Sequence, residues 1–502
     1  MFWFGVGIDP LLVFLEKRST GIPIISLPVL GPRQEKSVVQ KLPPLQQVYK
    51  VVAYADDVKP SITSMQEFYL VDHACSLLER ASGVKLHRDP SAGKVKFLPL
   101  GRWRGTLAQE DLPHQYVLLS DHLDFVGVEL KATFQQTRKV NGDQLQERVK
   151  NTVGPWKAGR FMPLTLRPFS ANTYALSKVW FKCSTINLRN QDTDTITSQI
   201  KSWLYQDCLE KPSELVLYRN VQDGGLGLFH VRVRSLALLI RSFIETSTNP
   251  KFRHSLLHEV LYRYHVMGET SLPNPGFLPY YDQTFFSTIK HYKEHSPLNI
   301  SMMTTRQWYR TLLEDRVLMQ QGPGGSPPVL LPVRVEQLVP DQDWHATWIL
   351  SKSKGLNSDQ TTFLFKMLHQ LLPTQERINR ITNQPGMCKL CHASPEDLLH
   401  ALFTCPSSKS VADLLLSYVH IVIPDLSPEK LLRLDFGTRL AEPDQLPLLC
   451  VISTGLTYIW QARADKKVVT QYKMRAELEA LVSILRRSRF QNSSDRILEI
   501  II

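Results

Sequence analysis

The chain has 502 residues, of which 43% are hydrophobic and 21% charged, an ordinary globular composition that excludes a disordered or fibrous polypeptide. Such a length supports about two or three domains, each with its own core. Lysine and arginine outnumber aspartate and glutamate by 59 to 47, so a polyanionic partner is favoured, nucleic acid before anionic membrane.

The first residues, MFWFGVGIDPLLVFLEKRS, have no basic n-region and no small-residue cleavage site, and acidic residues interrupt them early. They do not read as a signal peptide. The most apolar runs, at 236–240 and 448–452, have the length of core helices and not of membrane spans. The expectation is an intracellular protein, nuclear or cytoplasmic, with no membrane partner. Its seven cysteines then stay reduced, so a cluster among them reads as metal ligands and not as disulfides.

Along the chain, Asp9-Pro10 predicts a helix start, an N-cap carboxylate followed by proline. Residues 48–53 are a short β-rich run ending at Tyr54. Residues 64–80 place Met65, Phe68, Leu70, Val71, Ala74, Leu77 and Leu78 at helical spacing. Two further strands are expected at 94–98 and 125–130, and this β–α–β–β succession suits an α/β sandwich. Residues 131–320 read as mostly helical, most clearly at 173–184, 195–209 and 233–246. Residues 320–332 (QQGPGGSPPVLLP) carry glycine and proline too densely for a regular element and read as a linker. From 340 onward the pattern is helical again, and Arg486-Arg487-Ser488-Arg489 closes an amphipathic helix beginning near Tyr472.

Two motifs carry chemistry. In VVAYADDV, Tyr54-Ala55-Asp56-Asp57 puts two adjacent carboxylates at the end of an apolar strand. Like charges so close raise each other's pKa unless a cation sits between them, and Mg²⁺ takes one or two carboxylates together with substrate phosphates. The bland alternative is a surface turn, where aspartate is common. The second motif is Cys388-x2-Cys391-x8-His400-x4-Cys405. A Cys-x2-Cys knuckle presents two thiolates to one side of Zn²⁺, and His and Cys about one helical turn apart complete a tetrahedron. A helix start at Ser394-Pro395 would set His400 on a helix and Cys405 just past its end. His392 is a possible substitute ligand, poorly placed because it adjoins Cys391. Four buried residues with no ion are the alternative.

VVAYADDV, then ASGVKLHRDPSAGKVKFLPLG, then LDFVGVEL, resemble the consecutive palm motifs of LINE-type (non-LTR) retrotransposon reverse transcriptases. WKAGRFMPLTLRPFSANTYALSKVWF and GGLGLFHVRVRSLALLIRSF are similar to the segments after the palm in the same proteins. LLPTQERINRITNQPGMCKLCHASPEDLLHALFTCPSSKSVADLLL resembles their C-terminal zinc-binding domain, and LTYIWQARADKK its closing helix. The resemblance implies an α+β fold: a partial βαββ palm over 1–130, a helical thumb-like region over 131–319, a linker over 320–339, and a helical zinc domain over 340–502. It implies that Asp56 ligates Mg²⁺ in two-metal nucleotidyl transfer, that Asp57 is a weaker ligand or orienting partner, and that Tyr54 lies beside the template–primer. The aromatic-x-Gly strand, here Phe125-Val126-Gly127, would grip the primer. The partners implied are an RNA template and a DNA primer. The zinc domain is implied to bind nucleic acid; Lys389, Arg377 and Arg380 could hold phosphates, and a purely structural zinc is the other possibility.

The family also uses an aspartate on an upstream strand, with an Arg-Gln-Gly-type loop between. Only 53 residues precede Tyr54, Asp9 is the one aspartate among them, and Arg33-Gln34 is followed by Glu35 where glycine is expected. One hairpin cannot clamp two metals. The expectation is a reverse-transcriptase fragment inert in polymerisation; the alternatives are a zinc-stabilised nucleic-acid-binding module without chemistry, and a product with no selected role. Other signals are weaker. Asp124-Phe125-Val126-Gly127 lacks the companions of a kinase motif. Gly224-Gly225-Leu226-Gly227 is a turn and not a cofactor loop. Trp308-Tyr309, Trp344 and Trp348 are expected in the core and not stacked on bases.

Overall fold

The computed structural model describes residues 64–83, 106–112, 127–131, 133–156, 162–206, 211–248, 283–295, 299–320, 334–353, 355–383, 386–436, 442–467 and 470–487. It adds short strands at 22–23, 48–49, 51–54, 57–60, 96–97, 117–118, 122–125 and 329–330, and single positions 62 and 99. The helix expected at Asp9-Pro10 lies outside the described residues. The chain is predominantly helical. Among the described residues no helix is long and apolar enough to cross a membrane. Two compact units emerge, one from 1–148, 178–196 and 231–312, the other from 149–177, 197–230 and 313–502.

In the first unit the strands pair two by two, and among the described residues they do not join into one sheet. Strand Val51–Tyr54 runs antiparallel to Asp57–Pro60, and Lys96–Phe97 parallel to Val117–Leu118. Between them, helix Met65–Ser82 is bounded by its own sequence. The Ser64 hydroxyl accepts the Glu67 N–H at 3.2 Å, and Gly83, at φ +72°, donates its N–H to Glu79 O. Phe68 is buried against Leu112 with Phe97 and Met65 beside it, whereas Leu77, counted on the apolar face, is exposed.

The strand expected at 125–130 is broken by a turn. His122–Phe125 and Val128–Lys131 form an antiparallel hairpin, and Gly127, at φ +76°, sits in the bend and not on a strand. Helix Phe134–Val153 serves this hairpin as a surrogate strand. The Asn141 carboxamide accepts the Glu129 N–H at 3.1 Å and donates to Glu129 O at 2.7 Å, and the Thr137 hydroxyl accepts the Lys131 N–H at 2.8 Å. Lys182 is buried beneath them, donating to Asn141 Oδ1 at 2.8 Å and Gln144 Oε1 at 2.6 Å, and burial pulls its pKa down to about 8.

The expected helices are present with shifted bounds. The segment at 173–184 is interrupted: Arg167–Ser170, a π-helical turn Ala171–Ala175, then Ser177–Thr185. The segment at 195–209 is Asn190–Leu204, and 233–246 is Val231–Thr248. The glycine- and proline-dense stretch is not wholly irregular, because Val329–Leu330 pairs antiparallel with Met319–Gln320.

The second unit has two centres of packing. In one, helices Lys409–Val422, Glu442–Ala464 and Gln471–Arg487 converge at Gly455, where a Cβ would stand 2.8 Å from a Leu415 methyl and 3.1 Å from the Met474 methyl. In the other, the loop at 220–228 folds against helix Trp344–Leu350. Gly224 takes φ +80° with the Trp348 ring where a Cβ would be, and Gly225 lies against the Arg219 carbonyl. His369 stacks on Trp348 at 4.7 Å and bonds Gly224 O through Nε2 at 2.8 Å. Beneath the loop, Glu336 pairs with Arg219 at 2.8 Å and accepts the Trp348 indole N–H at 3.0 Å. The glycine run is therefore a packing turn, and Trp308, Trp344 and Trp348 are buried, as expected from the sequence.

Candidate metal centre

Backbone turns place the four metal-ligating side chains within one segment. Met387 pairs with Pro395, the Cys388 N–H donates to Ser394 O at 2.9 Å, and the Glu396 N–H donates to Gly386 O at 2.9 Å. Residues 386–396 thus form a small closed loop. Inside it, His392 takes φ +56° and donates its N–H to Cys388 O, which is the turn of the knuckle. His392 is exposed and stands outside the cluster.

Pro395 lies in the β-bridge and does not start a helix, contrary to the sequence expectation. The helix begins after Asp397, whose carboxylate accepts the His400 N–H at 2.6 Å as an N-cap. His400–Thr404 is a π-helical turn, and the Cys405 N–H closes it on His400 O at 2.9 Å. The five-residue spacing of the two ligands matches this wider turn, in which i and i+5 are linked by a hydrogen bond.

The ligand atoms of Cys388, Cys391, His400 and Cys405 all lie within 4.8 Å of one another. Cys388 Sγ and Cys405 Sγ are 3.8 Å apart, and Cys391 Sγ is 3.3 Å from His400 Nε2. Thiolates held at zinc–sulfur bond length on a tetrahedral ion stand about 3.8 Å apart, far from the about 2.05 Å of a disulfide. The donor set therefore fits zinc. Four protein ligands would leave no open position on a bound ion, the arrangement typical of structural zinc. His400 Nδ1 lies 3.4 Å from the Thr404 hydroxyl, which orients the ring with Nε2 toward the thiolates.

The thiols are not equivalent. Burial pushes the Cys388 thiol up. Burial also opposes ionisation of Cys391, but the N–H groups of Ala393 and Ser394, the His400 ring and Cys388 outweigh it and pull its pKa to about 6.

Glu396 fixes the loop from behind. It is fully buried, and its carboxylate accepts the Gln375 N–H at 2.8 Å while its carbonyl accepts the Glu376 N–H at 3.0 Å. The first residues of helix Gln375–Thr382 are thus capped from outside by this residue, because Thr374 makes no side-chain cap bond. Arg463, within helix Glu442–Ala464, forms an ion pair with the same carboxylate and stacks on Trp460 at 5.1 Å. Sequence reading missed this residue; its only trace is that Arg463 lies in LTYIWQARADKK, already singled out by its resemblance.

Of the cations expected to meet phosphate, Lys389 is exposed and Arg377 half-buried on helix Gln375–Thr382, where burial and then Arg380 lower its pKa. In the first unit Tyr54 and Asp57 oppose each other across the strand register, and Asp56 lies outside the described residues. Phe125 ends its strand opposite Val128.

With this geometry in place, comparison with known families matches residues 335–411 to the family described as zinc-binding in reverse transcriptase. No curated protein matches the chain. The matched stretch contains all four ligands together with Glu396, and it defines a zinc-binding region of reverse-transcriptase type. The chain is a reverse-transcriptase-related protein.

Proposed function

We propose that the chain is of LINE-type retrotransposon reverse-transcriptase lineage and that its zinc-stapled domain binds nucleic acid. The observation that carries this reading is the closed Cys3His cluster inside the stretch similar to reverse-transcriptase zinc-binding regions. In this reading 1–130 is palm, 131–319 thumb-like, 320–339 linker and 340–502 the zinc domain. Pairing of Val51–Tyr54 with Asp57–Pro60 supports a Tyr-Ala-Asp-Asp hairpin, with Asp56 and Asp57 as Mg²⁺ ligands, Tyr54 beside the template–primer, and Phe125 with Gly127 against the primer. Lys389 and Arg377 contact phosphate, and the net charge of +12 favours the same partner.

Electrophoretic retardation of labelled RNA and DNA by the zinc-loaded protein tests the reading. Affinity should fall steeply as salt rises, by about tenfold for each few phosphate contacts released. No retardation at low salt would refute it.

A further inference from the structure

A cleft of about 380 Å³ opens beside the metal centre, lined by residues of helices Arg334–Leu338, Ser358–Leu368, Gln375–Thr382 and Pro428–Leu432. Its size falls within the range of about 300–1,000 Å³ typical of small-ligand sites. Much of the lining is aliphatic: Val339, Met367, Leu368, Leu399 and Leu432. Leu338 is 59% exposed at the same cleft, an apolar surface left to solvent.

The polar groups are of two kinds. Arg377, Arg380 and Arg433 bring guanidinium groups, and Arg380 pairs with Glu376 at 2.5 Å. Arg433 Nε is shut off from solvent and meets no acceptor among the described residues. A buried donor without an acceptor is unfavourable, so the Arg433 side chain gains from a shift that turns Nε toward an acceptor in the cleft. Asp397, whose Oδ1 already takes the His400 N–H, and Glu429 also line the cleft and bring carboxylates. The ligand must therefore combine an apolar body, acceptors for guanidinium and donors for carboxylate. Inorganic phosphate lacks the apolar body, and an alkyl chain lacks both polar groups.

We infer that the cleft receives one unpaired base of a nucleic-acid strand, its faces against the aliphatic lining and its acceptor edge and adjoining phosphate on Arg433 and Arg377. A base edge offers both donors and acceptors, and splayed single-stranded bases are recognised by stacking and edge contacts together. A base paired within a duplex cannot enter. The inference rests on the nucleic-acid reading above and assigns that function a strand preference.

The test is fluorescence anisotropy of the zinc-loaded full chain with a labelled mixed-sequence single strand and with the matching duplex. Arg433→Ala and Leu338→Glu are each expected to weaken single-strand binding about tenfold, the scale of one charge-assisted hydrogen bond or one buried apolar contact, and to leave duplex binding within about twofold. Leu338 is mostly exposed, so its replacement tests the cleft without unpacking the core. Lys389→Ala should weaken both ligands alike. If both cleft variants keep full single-strand affinity, or lose duplex affinity equally, the base site is wrong while nucleic-acid binding stands. If neither ligand binds at low salt, both readings fall.

Discussion

The metal loop at 386–405 and the glycine loop at 220–228 both pin the reverse-transcriptase-type stretch, by opposite means. The first gathers four ligands from eighteen consecutive positions and needs an ion to hold buried thiols together. The second needs no ion: Gly224 admits the Trp348 ring, His369 covers it, and Arg219 with Glu336 closes the base. A loop short of apolar side chains can thus be stabilised by coordination or by one large aromatic. The two solutions respond to different perturbations.

Removing the ion should have the largest effect. Structural zinc contributes on the order of 10 kcal/mol or more in small domains, so chelation or Cys388→Ser should abolish cooperative folding around the cluster. Metal analysis should fall from about one zinc per chain to near zero. Hydrogen exchange should lose protection across 386–405 and retain it across 214–228. Equal loss in both places would mean that the two loops are one cooperative structure.

Next comes the carboxylate behind the metal loop. Arg463→Leu leaves Glu396 buried and unpaired, at a cost of about 3–5 kcal/mol. Urea denaturation of the zinc-loaded protein measures it. The double variant Glu396→Gln with Arg463→Leu should recover part of the loss, since a neutral amide can still accept the Gln375 N–H.

These residues also show what a sequence reveals. The ligands were legible because the Cys-x2-Cys turn and the His-to-Cys turn are local, and thiols are scarce enough for spacing to be informative. The helix Met65–Ser82 was legible from its period and its Ser64 and Gly83 ends. Glu396 and Arg463 were not, because pairing of distant buried charges leaves no periodic trace. The π-helical turn at His400 was read as an ordinary helix, since its extra residue per turn is visible only once Cys405 closes on His400. Gly127 was assigned to a strand because aromatic-x-Gly fits one, but its positive φ makes it the bend. The cleft at Arg433 draws on four helices, and no one segment announces it.

The glycine loop answers to a different substitution. At Gly224 a Cβ would stand 2.4 Å from the Trp348 ring on a backbone of φ +80°. Gly224→Ala should cost about 3 kcal/mol from the ring collision and the left-handed conformation together. Thermal unfolding reads the loss, and zinc content should stay at about one per chain. A variant as stable as the parent would show that Trp348 does not define this turn.

The smallest effect should separate the loops by pH. Burial, with Lys352 and Arg219 nearby, lowers the His369 pKa to about 4 despite its bond to Gly224 O. An unfolded histidine takes up its proton near pH 6.5, so below that value the unfolded state binds more protons than the native one. The His369 contribution is therefore intact above about pH 6.5, declines as pH falls toward 4, and is flat below. Between about pH 7 and about pH 5 the loss amounts to roughly 2 kcal/mol. Thiolate protonation weakens the metal loop over part of the same range, so the informative quantity is the difference between the parent and His369→Leu. The variant lacks the protonatable ring but keeps an apolar cover for Trp348, and its stability should fall less steeply with acid by about that amount. Parallel pH profiles would show that His369 contributes nothing to the acid sensitivity of this unit.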